Sequence, residues 1–274
     1  MAGPRARGRP AARVSTSRDR VREAYDVSAS AWAAGPGSTY DVMAEVLVAA
    51  APEDVAGALV LDLGAGTGPA ARAVRRAGAA GVVGIDVSPE MLRAGSGWDC
   101  VVVGDATHLP VRDRCVDLAV AACCLGHLPD PTAALVEWRR VSRAVVASAF
   151  LAGWTHPAKS IVDAVAARHG FVVPAWYAWL KSDVEPTVDD PVRLAALARD
   201  AGFGRVDVTT TPVDVGVRTP EQLVTWRMGM AHLAPFVRSL GPVERDELRA
   251  ECIDALRDAP PLVIPLVILA AYDD

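Results

Sequence analysis

The stretch Leu59-Val60-Leu61-Asp62-Leu63-Gly64-Ala65-Gly66-Thr67-Gly68-Pro69 decides how this chain folds. Residues 59–63 read as a strand with apolar residues on both faces, which is what a strand covered by helices on both sides requires. Three glycines then supply a sharp turn that a ligand can approach without Cβ atoms in the way. Pro69 suits the first turn of a helix, expected over 70–77, because its missing N–H would have had no partner there. The helix start offers free amides to an anionic group, so the loop suits the carboxylate and amine of a nucleotide-like cofactor.

Downstream the same alternation repeats. Strands are expected at 82–86, 100–103, 116–121 and 145–150, with helices over 89–94 and 131–141. Strand–helix alternation of this kind gives an α/β fold, a doubly wound and mostly parallel sheet, with ligands at the rim formed by the strands' C-terminal ends. Asp86 ends the second strand 22 residues after Gly64, where a carboxylate accepts both hydroxyls of a ribose. The competing role, capping the helix that starts at Pro89, falls to Ser88. Val87 and Met91 flank Asp86 and either cover an adenine face or belong to the core. Asp105 ends the third strand within reach of an adenine amino group. Residues 151–185 break the rhythm with Trp154, Trp176, Tyr177 and Trp179. Beyond them come a helix over 191–201, a strand over 205–211, helices over 220–230 and 243–256, and a last strand near 263–269.

Composition narrows the function. The chain has 274 residues, 51% of them apolar and 22% charged, enough for a buried core and too apolar for global disorder. Residues 1–22 hold seven Arg against one acid, a surplus of six positive charges, so the other 252 residues carry −11 where the whole chain carries −5. An acidic body excludes a nucleic-acid groove. The basic start is read as a solvated tail over residues 1–20, with polyanion binding as the alternative. Five cysteines without a C-x-x-C pair indicate neither disulfides nor a metal site, a reduced, cytoplasmic pattern. No run is long enough to span a bilayer, so no membrane partner is expected.

Residues 25–150 resemble a class I S-adenosylmethionine-dependent methyltransferase, of the branch that includes small-molecule and quinone methylating enzymes. The matching pieces are LDLGAGTG (61–68), GIDVSPEML (84–92), GDATHLPV (104–111) and VDLAVAACCLGHLPDPTAALVEWRRV (116–141), with YDVSASAW (25–32) and GSTYDVMAEVL (37–47) similar to helices that lid the cofactor. The resemblance implies a seven-stranded, Rossmann-like sheet forming a single domain over 21–274. Lid helices would occupy 21–50, and cap insertions about 151–185 and 218–258. It implies S-adenosyl-L-methionine as cofactor, with Asp62, Gly64, Gly66 and Gly68 at the methionyl part and Asp86 at the ribose. Val87, Met91 and Ala106 would border the adenine, Asp105 would meet its amine, Cys123 would follow the fourth strand, and Tyr25 and Tyr40 would approach from the lid. Cys123-Cys124-Leu125-Gly126-His127 departs from the usual polar or aromatic residue after that strand, and the N/D-P-P-[YFW] motif of amino-methylating enzymes is absent.

The expected reaction is methyl transfer to oxygen or carbon of a small, largely apolar acceptor, by a monomer or homodimer. Alternatives are a sulfonium-driven cyclisation without net transfer and a nicotinamide-dependent oxidoreductase, which would favour G-x-G-x-x-G. His127 is the first candidate for a general base, because imidazole titrates near neutral pH. His156 and Tyr177 follow as candidates in the cap. The cap tryptophans form either an acceptor pocket or a small core of their own, Trp226 and Arg227 line the same cavity, and His232 is expected to pack inside a helix pair.

Overall fold

The computed structural model describes residues 17–273. Two helices, α1 (Ser17–Ala34) and α2 (Gly37–Ala49), precede the sheet. The chain then alternates through β1 (Leu59–Leu63), α3 (Pro69–Arg76), β2 (Gly81–Asp86), α4 (Pro89–Ala94), β3 (Cys100–Val103), β4 (Val116–Ala121), α5 (Pro131–Val141) and β5 (Ser142–Phe150). The expected tail over 1–20 is corrected at its end, since α1 already begins at Ser17. The rest of that stretch lies outside the described residues.

The sheet has seven strands in the order β3-β2-β1-β4-β5-β7-β6, where β6 is Arg205–Asp214 and β7 is Val263–Tyr272. The first five are parallel, and β7 runs antiparallel between β5 and β6. Apolar residues cover both faces because the pleat sends neighbours to opposite sides. Val60, Leu118, Val120 and Val146 pack under α2 and α3, whereas Leu61, Leu63, Ala119 and Val145 pack under α5.

Both antiparallel strands run longer than the sequence pattern indicates. β6 continues past Thr211 because Pro212 pairs opposite Pro265 and Asp214 opposite Val263. Proline in a run argues against a strand, yet β6 is the sheet's edge, where a missing N–H leaves little unpaired.

Two insertions build a roof over the C-terminal rim. Between β5 and β6 lie α6 (Pro157–Arg168), α7 (Ala175–Trp179), a π-type turn over Leu180–Val184, a short turn over Glu185–Thr187, and α8 (Pro191–Asp200), which returns to pack on β6. Between β6 and β7 lie α9 (Pro220–Met228), α10 (Ala234–Ser239) and α11 (Pro242–Ala255). Helices α6, α9 and α11 pack on one another, and α1 touches α4, α7 and α10. Arg227 on α9, buried to 3% exposure, meets Asp163 on α6 through bonds of 2.5 and 3.0 Å. That pair fastens one insertion to the other. Among the described residues, no helix is long and apolar enough to cross a membrane.

Trp138 on α5 is fully buried, and its indole N–H donates to the Ala106 carbonyl at 2.8 Å, bracing the turn after β3. Trp138→Phe leaves that carbonyl unpaired and is expected to cost about 1–3 kcal/mol of unfolding free energy in urea titration; an unchanged midpoint would show that the bond contributes nothing.

Candidate active site

The glycine loop leaves β1 and enters α3 with Gly64, Gly66 and Gly68 all at positive φ, 64°, 54° and 84°. Its backbone is fixed from inside and across: Gly68 N–H donates to Ala65 O at 2.8 Å, and Ala65 N–H to Ile85 O at 3.0 Å. A Cβ on Gly64 would lie 2.5 Å from the Cys124 sulfur, so the loop and the turn after β4 close on each other. Gly68 requires a correction. A Cβ there would lie 2.0 Å from the Ser96 carbonyl and 2.6 Å from the Trp98 ring, so this glycine serves packing against 96–98. It does not border the cavity that Gly64 and Gly66 line.

That cavity holds two buried polar atoms without partners. Asp62 is 1% exposed; one oxygen takes the Ala71 N–H at 3.0 Å, while Oδ1 has no hydrogen bond. Burial outweighs that bond and pushes its carboxyl up to about 7. The Thr67 hydroxyl is likewise buried and unpartnered. An amino-acid moiety meets both needs, its ammonium at Asp62 and its carboxylate at Thr67.

Asp86 stands at the end of β2 and accepts N–H groups from both sides, Gly66 at 2.8 Å and Ser88 at 2.8 Å. Burial raises its carboxyl even so. A carboxylate has about four lone-pair sites, so two ribose hydroxyls can still be taken. The helix-capping role falls to Ser88, whose hydroxyl accepts the Met91 N–H at 3.1 Å. Val87, Met91, Asp105 and Ala106 line the same cavity. Asp105 takes both the N–H and the hydroxyl of Thr107 on one oxygen, at 2.8 and 2.7 Å.

The lid reaches this cavity through aromatic rings. Tyr25 on α1 packs edge-on to Trp32 at 5.5 Å, and Trp32 lies 4.8 Å from Tyr40 on α2. The Tyr25 hydroxyl is 2.8 Å from Nε2 of His127. Burial raises the Tyr25 phenol and lowers His127, so both are neutral near pH 7. Burial likewise raises the Tyr40 phenol. Cys123 sits just before, at the positive φ of 54°, held by Ser148, with its thiol pushed up to about 12 by burial. It is a protonated wall residue. No group of three or more His, Cys, Asp or Glu among the described residues is placed to hold a metal ion.

Tyr25, Trp32, Tyr40 and His127 also line a second cavity, enclosed by Phe150, Trp154, Trp176, Tyr177 and Trp226. The cap aromatics therefore wall a pocket, and Trp179 lines the first one. His232 does not sit in a helix pair; it stacks on Tyr177 at 3.9 Å in the wall of the second cavity. His156 is corrected too. It borders neither cavity, caps α6 by accepting the Ala158 N–H at 3.1 Å, and lies 3.1 Å from the Pro260 carbonyl. The sequence reading passed over Thr67, Lys159, Lys181 and Glu185, all of them in the two walls.

Residues 61–145 match the methyltransferase-domain family. That match and the relatives below support a class I S-adenosylmethionine-dependent methyltransferase. It is similar to two demethylmenaquinone methyltransferases, from Thermobifida fusca (38% identity, covering 34% of this chain and 43% of that protein) and Streptomyces griseus (29%, covering 63% and 84%). It thus spans less than half the length of the Thermobifida relative. Among solved structures it is similar to phosphoethanolamine N-methyltransferase 2 of Haemonchus contortus, at TM-score 0.57 and 17% identity, covering 95% of this chain and 60% of that one. The methyltransferase's cofactor is S-adenosylmethionine, and the unpartnered Asp62 and Thr67 atoms beside a bare glycine loop fit its methionyl end.

Two outcomes test this site. Asp86→Ala is expected to weaken S-adenosylhomocysteine binding by roughly 1.5–3 kcal/mol, about ten- to hundredfold, by calorimetry; an unchanged constant would place the ribose elsewhere. Because the Asp62 carboxyl is raised to about 7, it gains a proton below that pH and loses its attraction for an ammonium. Affinity should therefore fall on the acid side of about 7, and Asp62→Asn should remove that part of the fall.

Proposed function

We propose that this methyltransferase moves the methyl group of S-adenosylmethionine to an oxygen or acidic carbon of a small, largely apolar acceptor seated in the second cavity. The observation that carries the reading is the shared wall: Tyr25, Trp32, Tyr40 and His127 border both cavities, and the Tyr25–His127 hydrogen bond lies in it. Two relatives named for a quinone acceptor agree with an aromatic-lined pocket. The working form is a monomer or homodimer in the cytoplasm, acting in secondary metabolism on a small molecule rather than on nucleic acid or a membrane.

When bound, the cofactor would supply an electrophilic methyl on a sulfonium, with neutral S-adenosylhomocysteine as the leaving group as the acceptor takes the methyl in line. The chain aligns the two partners, and much of the acceleration comes from that alignment. The ring of Tyr25, Trp32 and Tyr40 excludes water from the path. With His127 in the tautomer that leaves Nε2 unprotonated, Tyr25 Oη donates to it, so the phenol lone pair is turned toward the acceptor's proton. As the acceptor oxygen or carbon gains the methyl, its proton passes to Tyr25 and the phenol proton to His127. The negative charge of Glu185 favours the imidazolium that results.

The test is transfer from a methyl-labelled donor to a panel of hydroxyarenes and hydroxyquinones. Label in the product supports the reading, whereas an unlabelled product isomeric with its substrate points to a rearrangement instead. His127→Ala should lower turnover by about 10²-fold or more while S-adenosylhomocysteine affinity moves less than about threefold; undiminished turnover would remove the relay.

A further inference from the structure

The second cavity carries more hydrogen-bond donors than the protein itself answers. Trp226 is 4% exposed, and its indole N–H has no partner. His232 is 3% exposed, and its Nε2 has none either. Lys159 lines the same wall with its ammonium 4.4 Å above the Trp154 ring and 3.3 Å from the Trp154 carbonyl. No carboxylate pairs with it among the described residues. The other two cations of this wall are answered: Lys181 by Glu185, and Arg227 by Asp163. Lys159 and Lys181 are the only lysines in a chain with 28 basic residues, and both stand here.

We propose that the acceptor bears a carboxylate, which takes the Lys159 ammonium, the Trp226 indole N–H and the Nε2–H of His232. This rests on the reading of the second cavity as the acceptor pocket. A buried donor without a partner costs free energy, and a charged acceptor repays it most fully. One ammonium without a carboxylate and two neutral donors match a single planar monoanion; a dianionic phosphate would bury a charge with no counterpart. The walls of Phe150, Trp154, Met230 and Ile264 suit an aromatic or aliphatic body behind that group. Burial, then the neighbouring cations, hold His232 neutral, with its pKa pushed down to about 2, so it donates in the Nε2–H tautomer without adding charge. Burial also brings Lys159 down to about 8, the direction an adjacent anion reverses.

The test is calorimetry on the full chain saturated with S-adenosylhomocysteine, comparing salicylate with salicylamide and hydroxynaphthoate with hydroxynaphthamide. Each acid is expected to bind about tenfold or more tightly than its amide, the size of a hydrogen bond to a charged group. Lys159→Met should bring that ratio close to one, and Lys159→Gln gives the same reading should the first variant fail to fold. Trp226→Phe, which keeps the ring and loses the donor, should weaken both acids severalfold. Equal binding of acid and amide, a preference that survives both Lys159 variants, or no binding of any of the four compounds overturns the proposal. Failure of S-adenosylhomocysteine itself to bind would instead overturn the site assignment beneath it.

Discussion

The carboxylate of Asp86 ties the site together. Its two oxygens take the Gly66 and Ser88 N–H groups, which fastens the glycine loop of one strand to the end of the next. Ser88 in turn donates its hydroxyl to Asp26 of α1 at 2.6 Å. The residue before Asp26 is Tyr25, whose hydroxyl meets His127 on the far side of the cleft. One half-buried acid thus sets the loop and, through one serine, the seating of α1. Charge-assisted bonds to backbone N–H groups are among the stronger ones available to a protein, which suits a group that must hold three elements while remaining open to a ligand.

The two cavities differ in electrostatic sign. The first is lined by Asp62, Asp86 and Asp105, and burial keeps the Asp62 and Asp86 carboxyls reluctant to ionise without a cation nearby. The second holds Lys159, Lys181 and Arg227 against Glu185 as its one lining acid, with Asp163 behind Arg227. Under the proposed function, the first side suits a cationic donor and the second an electron-rich acceptor. They meet at a neutral strip of tyrosine, tryptophan and histidine.

The pattern of apolar runs and glycines was enough to read the sheet, because strands buried on both faces leave an unbroken apolar signature and a β–α turn with three positive-φ positions admits little but glycine. The roles of individual residues were less legible. Gly68 and Gly66 look alike in sequence; only the approach of Ser96 and Trp98 separates a packing glycine from one that lines the cleft. His156 carries the residue type of a base, yet its place before Pro157 makes it a cap, and a histidine cap has no sequence mark as clear as serine's. The rarity of lysine was visible from composition, but its meaning needed the cap folded, since residues 159, 181, 226 and 232 meet only through tertiary packing.

Tyr25 and His127 come from parts of the chain that share no local structure. One sits on the lid helix, and the other sits in the turn after β4, fixed by its N–H to the Cys124 carbonyl at 2.9 Å. The pair therefore exists only while α1 keeps its packing against α2, α4, α7 and α10. Near the site α1 is held by polar bonds, Asp26 to Ser88, Ser28 to the Ala231 carbonyl at 3.3 Å and Tyr25 to His127 itself, and by apolar packing, with Ala29 and Trp32 buried in the core. Such bonds are each worth about 0.5–1.5 kcal/mol net, and burial of the apolar residues of α1 adds to them. The proposed relay therefore requires α1 in this place, where the rings of Tyr25, Trp32 and Tyr40 also keep water from the cleft.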